Sequence, residues 1–282
     1  MKTNNNFIIY FSVSAGIGYG MLVVLSILSY SFSINIINEA KILISLLSIF
    51  FIFTGWIALA LNLRNQKKNF TKIEQWKNSW IKMDIIAIII NLFLVIFFYS
   101  SWIFLNNKDL LYFLILILGL SSIFIIYFSS KIYDSFTTLP LRKNPFIPII
   151  SLLNSVSSAC LVFFLIYYYF KINQNLVFYL LVIILPTTLF IKLLYWYSIK
   201  GVKNEIRIPN FYSYRGIVCI LFYITPVYFV IQEPTLVMNK DVNFITLLII
   251  IILAIIGFFL ERWLFFIEVN NFNKLENKNN FI

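Results

Sequence analysis

Eight unbroken apolar stretches, each long enough to cross a bilayer, fill most of the 282 residues, and the basic residues between them fall almost wholly on one side. A hydrocarbon core about 30 Å thick needs around 20 apolar residues in a helix. The stretches cover residues 7–30, 42–61, 85–105, 110–130, 146–170, 176–197, 211–231 and 244–267. Their apolarity is continuous and lacks period-two alternation, so helices are expected and not a barrel. Hydrophobic residues make up 61% and charged residues 12%, against roughly 45–50% and 25% in soluble domains. No water-soluble fold of this length hides so much apolar surface. The expected fold is all-α: a polytopic integral membrane bundle of eight transmembrane helices. It forms a single domain over residues 1–282, with a polar Asn- and Lys-rich tail at 268–282 that is expected to fray.

With eight spans, both termini share one side of the bilayer with the loops after helices two, four and six. All but four of the 22 Lys and Arg residues fall on that side; the exceptions are Lys41, Lys108, Lys171 and Lys240. The positive-inside rule makes the basic side cytoplasmic, in a bacterial inner membrane. The competing explanation is that the basic side is a docking face for an acidic partner. The first stretch follows Met1-Lys2-Thr3-Asn4, is too long for a signal h-region and shows no Ala-x-Ala site. It reads as a retained helix.

Missing residue types narrow the chemistry. The chain has no histidine, and its two cysteines, Cys160 and Cys219, both lie inside apolar runs where packing explains them. A histidine-ligated haem and a complete iron–sulfur site are therefore excluded. Electrons passing through such a protein would need a dissociable carrier, such as a quinone. Gly16-Ile17-Gly18-Tyr19-Gly20 lies within a span and is not a phosphate loop, and nothing points to nucleic acid. Ser12, Gly16 and Gly20 recur every four residues, which lets another helix approach closely. Pro186 and Pro226 fall within helices six and seven and are expected to kink them. The sequence shows no convincing internal repeat.

Candidate chemistry concentrates between Asn62 and Asp84. Phe70, Ile73, Trp76, Trp80 and Met83 are interleaved there with Lys72, Lys77 and Lys82. Such a segment would lie on the membrane surface with its rings at headgroup level. One reading is a basic anchor on anionic lipid. The sharper reading is the mouth of a quinone pocket, with Asn62, Lys68 and Asp84 as polar groups and Trp76 or Trp80 as a wall. Asp84 enters helix three, where a carboxylate is costly unless paired or functional. It also suits the positive end of a helix. Lys131, Tyr133 and Asp134 end helix four on the same side, and Glu261-Arg262-Trp263 closes helix eight there. Glu261 and Arg262, as sequence neighbours, are expected to find different partners.

Together these segments resemble the membrane anchor subunit of dimethyl sulfoxide reductase-type molybdenum enzymes. The resemblance covers most of the chain. It rests on the helix-two exit from Leu61 into the Phe70 loop and on Asn78-Ser79-Trp80-Ile81-Lys82-Met83-Asp84, similar to the family's Ser-Trp-Leu-Ser-Arg-Glu. Lys131-Ile132-Tyr133-Asp134-Ser135 with Pro140, and Glu261-Arg262-Trp263-Leu264-Phe265-Phe266-Ile267-Glu268, complete it. It implies a non-catalytic subunit that exchanges electrons between menaquinone or ubiquinone and a separate iron–sulfur subunit. That subunit would in turn serve a molybdopterin catalytic subunit. On this reading Asn62, Lys68, Trp76, Trp80, Asp84, Lys131 and Tyr133 surround the quinone, and Arg64, Lys67, Lys72, Glu261 and Arg262 face the protein partner. Many family members have a His-Leu-Gly-x-Pro stretch at the helix-two exit, whereas this chain has Asn62-Leu63-Arg64-Asn65-Gln66. Asn62 exchanges hydrogen bonds but does not titrate near neutral pH, so proton exchange falls to Asp84 or water. The cytoplasmic basic side fits relatives that oxidise sulfite with a cytoplasmic molybdenum subunit. Two other readings stay open: a small-solute transporter, which paired intramembrane charges or symmetrically broken helices would favour, and a purely structural anchor.

Overall fold

The computed structural model describes residues 6–31, 38–67, 79–104, 108–135, 145–170, 172, 175–203, 212–229 and 244–279. Among the described residues the secondary structure is helical apart from Pro145, Phe170 and Ile172, with no strand. The helices are α1 (Asn6–Ser31), α2 (Asn38–Lys67), α3 (Ser79–Phe104), α4 (Lys108–Ser135), α5 (Phe146–Tyr169), α6 (Asn175–Lys203) and α8 (Phe244–Asn279). Between the last two lies α7, which begins as Tyr212–Val218, widens into a π turn at Cys219–Ile224 and resumes over 225–229.

Seven of these helices contain segments long and apolar enough to cross a membrane, where eight spans were expected. The eighth expected span falls on α7, whose apolar helix covers Ser213–Phe229 among the described residues. At 1.5 Å per residue that is about 25 Å of helix, less than the core thickness. Inside this helix lies Pro226. Proline has no N–H to give, and its ring crowds the carbonyl four residues back. Here the ladder slips by one residue just before it, and the Thr225 N–H reaches Ile220 O. The Thr225 hydroxyl donates to the same carbonyl at 2.7 Å. Pro186, by contrast, sits inside α6, which stays α-helical on both sides of it. α8 continues through residues of the polar tail to Asn279; residues 268–279 contain neither glycine nor proline to stop it.

The helices sort themselves by what they hide. α1 and α5 lie at the centre, with Val13, Val24, Ala159 and Phe163 fully enclosed. The outer helices turn large apolar side chains outward, among them Phe53, Phe93, Phe113 and Ile183, each at least 60% exposed. A surface of this kind suits hydrocarbon and not water. Inter-helix approach is set by glycine. A Cβ at Gly16 would come within 2.8 Å of Ser155 Oγ, and one at Gly20 would fall on the Ser155 carbonyl, so α1 and α5 touch backbone to backbone. This is the close approach that the Ser12, Gly16, Gly20 stripe predicts.

One regularity escapes the sequence. α1 packs on α2 and α4, and α3 packs on α4; in the same order α5 packs on α6 and α8, and α7 packs on α8. The contact of α4 with α5 is matched by that of α8 with α1. The bundle is thus two four-helix halves of like packing, joined along α1 and α5.

Candidate functional site

The buried charged side chains gather toward one end of the bundle, where α1, α3, α5 and α7 begin and α2, α4, α6 and α8 end. In the first half the central group is Asp84, only 2% exposed near the start of α3. Its Oδ1 accepts a hydrogen bond from Ser129 Oγ on α4 at 3.0 Å. Two turns further along α3, Asn91 Nδ2 donates to Ser121 Oγ at 2.6 Å. Moving along α3 from Asp84 to Asn91, the partner on α4 steps back from Ser129 to Ser121, as antiparallel packing of α3 on α4 requires. At the same end an open cavity of about 420 Å³ lies between the start of α1 and the end of α2. It is lined by Phe7, Tyr10, Ile57, Ala58 and Leu61, with Asn6 and Thr54 as its polar members. The floor is fixed by Ser14, whose hydroxyl bonds to Phe51 O and pairs with Thr54 Oγ1, both at 2.7 Å.

The second half holds a denser system. Lys192 on α6 donates to Glu261 Oε1 on α8, and both are almost completely buried. Arg262 Nη2 donates to Ser151 Oγ on α5 at 3.0 Å, and its Nε lies 3.5 Å from Glu261 Oε2. Arg215 on α7 donates through Nε to Glu268 Oε1 at 3.0 Å and through Nη2 to the same oxygen. Trp196 bridges the two ion pairs, its ring centre 5.5 Å from Lys192 Nζ and 5.2 Å from the Arg215 guanidinium carbon. The π turn contributes Tyr223, whose hydroxyl donates to Asn154 Oδ1 at 3.1 Å. Glu261 and Glu268 are seven residues apart, so this system descends about 10 Å along α8. Charges in such surroundings persist only when paired and hydrogen-bonded, and here each carboxylate meets at least one cation.

The expected site residues distribute unevenly over this geometry. Asp84 is buried and hydrogen-bonded. Asn62, Arg64 and Lys67 belong to the last turns of α2, which extends beyond the expected end at 61, and Trp80 belongs to the first turn of α3. Tyr133 belongs to the end of α4. The side chains of these five lie outside the described part. Lys131 is partly exposed, its Nζ 5.8 Å from the Tyr127 ring centre. Lys68, Lys72 and Trp76 lie outside the described residues. Glu261 and Arg262, expected on a partner face, are 1% and 3% exposed and point into the bundle. Each has its own inter-helix partner, besides the long contact between them.

Lys192, Arg215, Asn154, Tyr223 and Glu268 escaped the sequence reading as members of a site. Lys192 and Arg215 were counted only as basic-side charges. The signal was partial: Lys192 lies inside the apolar run 176–197 but near its end, where a lysine either snorkels to the interface or meets a carboxylate on another helix. Among the described residues no group of three or more His, Cys, Asp or Glu is placed to hold a metal ion. Compared with known proteins, the chain matches no family profile, no curated sequence and no solved structure.

Proposed function

We propose that this chain is a quinone-reactive membrane anchor of a molybdenum and iron–sulfur oxidoreductase, exchanging electrons between the quinone pool and an iron–sulfur partner subunit. The observation that carries this reading is the apolar cavity between α1 and α2. It opens beside Leu61, at the helix-two exit on which the family resemblance rests, and at the same end of the bundle as buried Asp84. Its volume lies within the roughly 300–1,000 Å³ usual for small-molecule sites. Phe7, Tyr10 and Ile57 suit a flat ring and an isoprenoid tail, and Asn6 and Thr54 suit a carbonyl oxygen. In this account Asp84, held by Ser129, exchanges protons with the quinone head, a task Asn62 cannot perform. Arg64, Lys67 and Lys72 then belong to the face that meets the partner, while Glu261 and Arg262 serve inside the bundle.

The test is a change at Asp84 that leaves the helix intact. In the purified complex, Asp84→Asn should reduce quinol-dependent reduction of the iron–sulfur partner by about tenfold or more, as loss of an acid–base group does, with the subunits still bound. Wild-type rates in the variant would remove Asp84 from the site.

A small-solute transporter is favoured by two observations, the paired charges inside the second half and the two halves of like packing. Two features weigh against it. The charges are engaged with one another, and the broken helix α7 has no broken counterpart, since α3, which holds the matching place in the first half, is a continuous α-helix.

A further inference from the structure

Three oxygens meet at the floor of the α1–α2 cavity. Ser14 Oγ donates to Phe51 O at 2.7 Å and lies 2.7 Å from Thr54 Oγ1, which is itself 3.2 Å from Phe51 O. A hydroxyl carries a single proton, so Ser14 and Thr54 together always leave one of these contacts without one. Ser14 is buried on α1, whereas Thr54 lines the cavity. Phe51 lies inside the continuous helix α2, and its carbonyl oxygen has a helical N–H partner besides these hydroxyls.

The spare contact gives Thr54 two settings. A hydroxyl in the cavity that donates to Thr54 Oγ1 completes a chain in one sense: Thr54 donates to Ser14, and Ser14 to Phe51 O. A carbonyl in the cavity reverses it: Ser14 turns its proton to Thr54, and Thr54 gives its own to the ligand. Neither setting leaves a buried hydroxyl proton unused. The Asn6 amide and the Tyr10 phenol, the other polar groups of the lining, likewise both donate and accept. None of the described residues lining the cavity carries a charge. A lysine or arginine in such a wall would only donate and would favour the carbonyls of a quinone. An ionised carboxylate would only accept and would favour the hydroxyls of a quinol.

Resting on the quinone reading above, we propose that this cavity holds the oxidised and reduced forms of its ligand about equally, with Thr54 as the two-way contact and Ser14 as the residue that positions its proton. A bound quinone then keeps the reduction potential it has in the pool. Two electrons pass to or from the iron–sulfur partner, and two protons to or from Asp84 or water. The direction of flow is therefore set by the potential of the partner and not by this chain.

The experiment immobilises the full chain in detergent. It measures retention of decylubiquinone and, under argon with a reductant, of decylubiquinol, each corrected for resin carrying detergent alone. The two dissociation constants should agree within about threefold, equivalent to about 14 mV for a two-electron couple. Thr54→Val deletes the two-way hydroxyl and leaves Ser14 its bond to Phe51 O. It should weaken both forms by about fivefold, the usual effect of one hydrogen bond, with their ratio unchanged. A preference of tenfold or more for one form in the wild-type chain, or a Thr54→Val loss confined to one form, would overturn the two-way site while leaving a quinone site in place. Retention of neither form by the wild-type chain would remove the quinone reading and the two-way site together.

Discussion

Lys192 sits between Ile191 and Leu193 in an otherwise apolar helix, and its ammonium reaches Glu261 two helices further along the chain. Removing one member of a buried ion pair strands the other, at a cost of about 3–5 kcal/mol, whereas replacing both by apolar residues is often neutral. Lys192→Met should therefore lower the thermal stability of the detergent-solubilised protein, and Lys192→Met with Glu261→Met should recover part of the loss, since Arg262 then keeps Ser151 but loses Glu261. Differential scanning fluorimetry on the two single variants and the double variant measures this coupling. Equal loss in the double variant would mean the pair is not the source. At this scale the sequence was only half legible. Asp84 stood out because a carboxylate at the edge of an apolar run needs a reason. Lys192 and Arg215 passed as loop charges, since the edge of a span and its interior differ by one helical turn, less than the error of a boundary read from apolarity alone.

Among the elements, α1 and α7 show opposite uses of glycine and proline. In α1 the four-residue spacing of Gly16 and Gly20 was legible, because small residues on one face have a single geometric consequence. The structure supplies their partner, Ser155 on α5. Gly20→Ala should destabilise the bundle by about 1–3 kcal/mol, the usual cost of overpacking a tight contact. Gly216 in α7 has nothing within 4 Å of the place a Cβ would take. Gly216→Ala should thus be neutral or stabilise by up to about 1 kcal/mol through helix propensity. The melting temperatures of the two variants in the same detergent check the contrast, and a shift of equal sign in both would contradict it. In α7, Pro226 announced a disturbance without its form. Whether a helix answers proline with a kink or with a π turn depends on what packs against it, and here Gly257 of α8 lies so close that a Cβ would sit 2.8 Å from Phe222 N.

At the scale of the molecule, length and apolarity established an all-helical bundle, and the helix ends mostly fall within a few residues of the apolar runs. The two halves of like packing were invisible in the sequence, because a lipid-facing helix constrains its outer residues only to be apolar and its inner ones only to fit. Lys192, Arg215 and Arg262, counted toward the basic side, are spent on buried contacts inside the bundle; the remaining basic residues still outnumber the four on the other side. The halves divide the polar groups differently: the first carries one buried carboxylate and several neutral hydrogen-bonding groups, the second a set of mutually engaged ions. On the proposed reading, exchange with quinone belongs to the first half, and the second supplies rigidity.

That reading is tested most directly by gentle detergent capture of the tagged protein, followed by molybdenum, iron and quinone analysis. An electron-transferring anchor predicts all three, with iron and molybdenum on co-purifying subunits and quinone lost when the α1–α2 cavity is filled by Ala58→Phe. Recovery of the chain alone, free of metal and quinone under conditions that hold comparable complexes together, would contradict it.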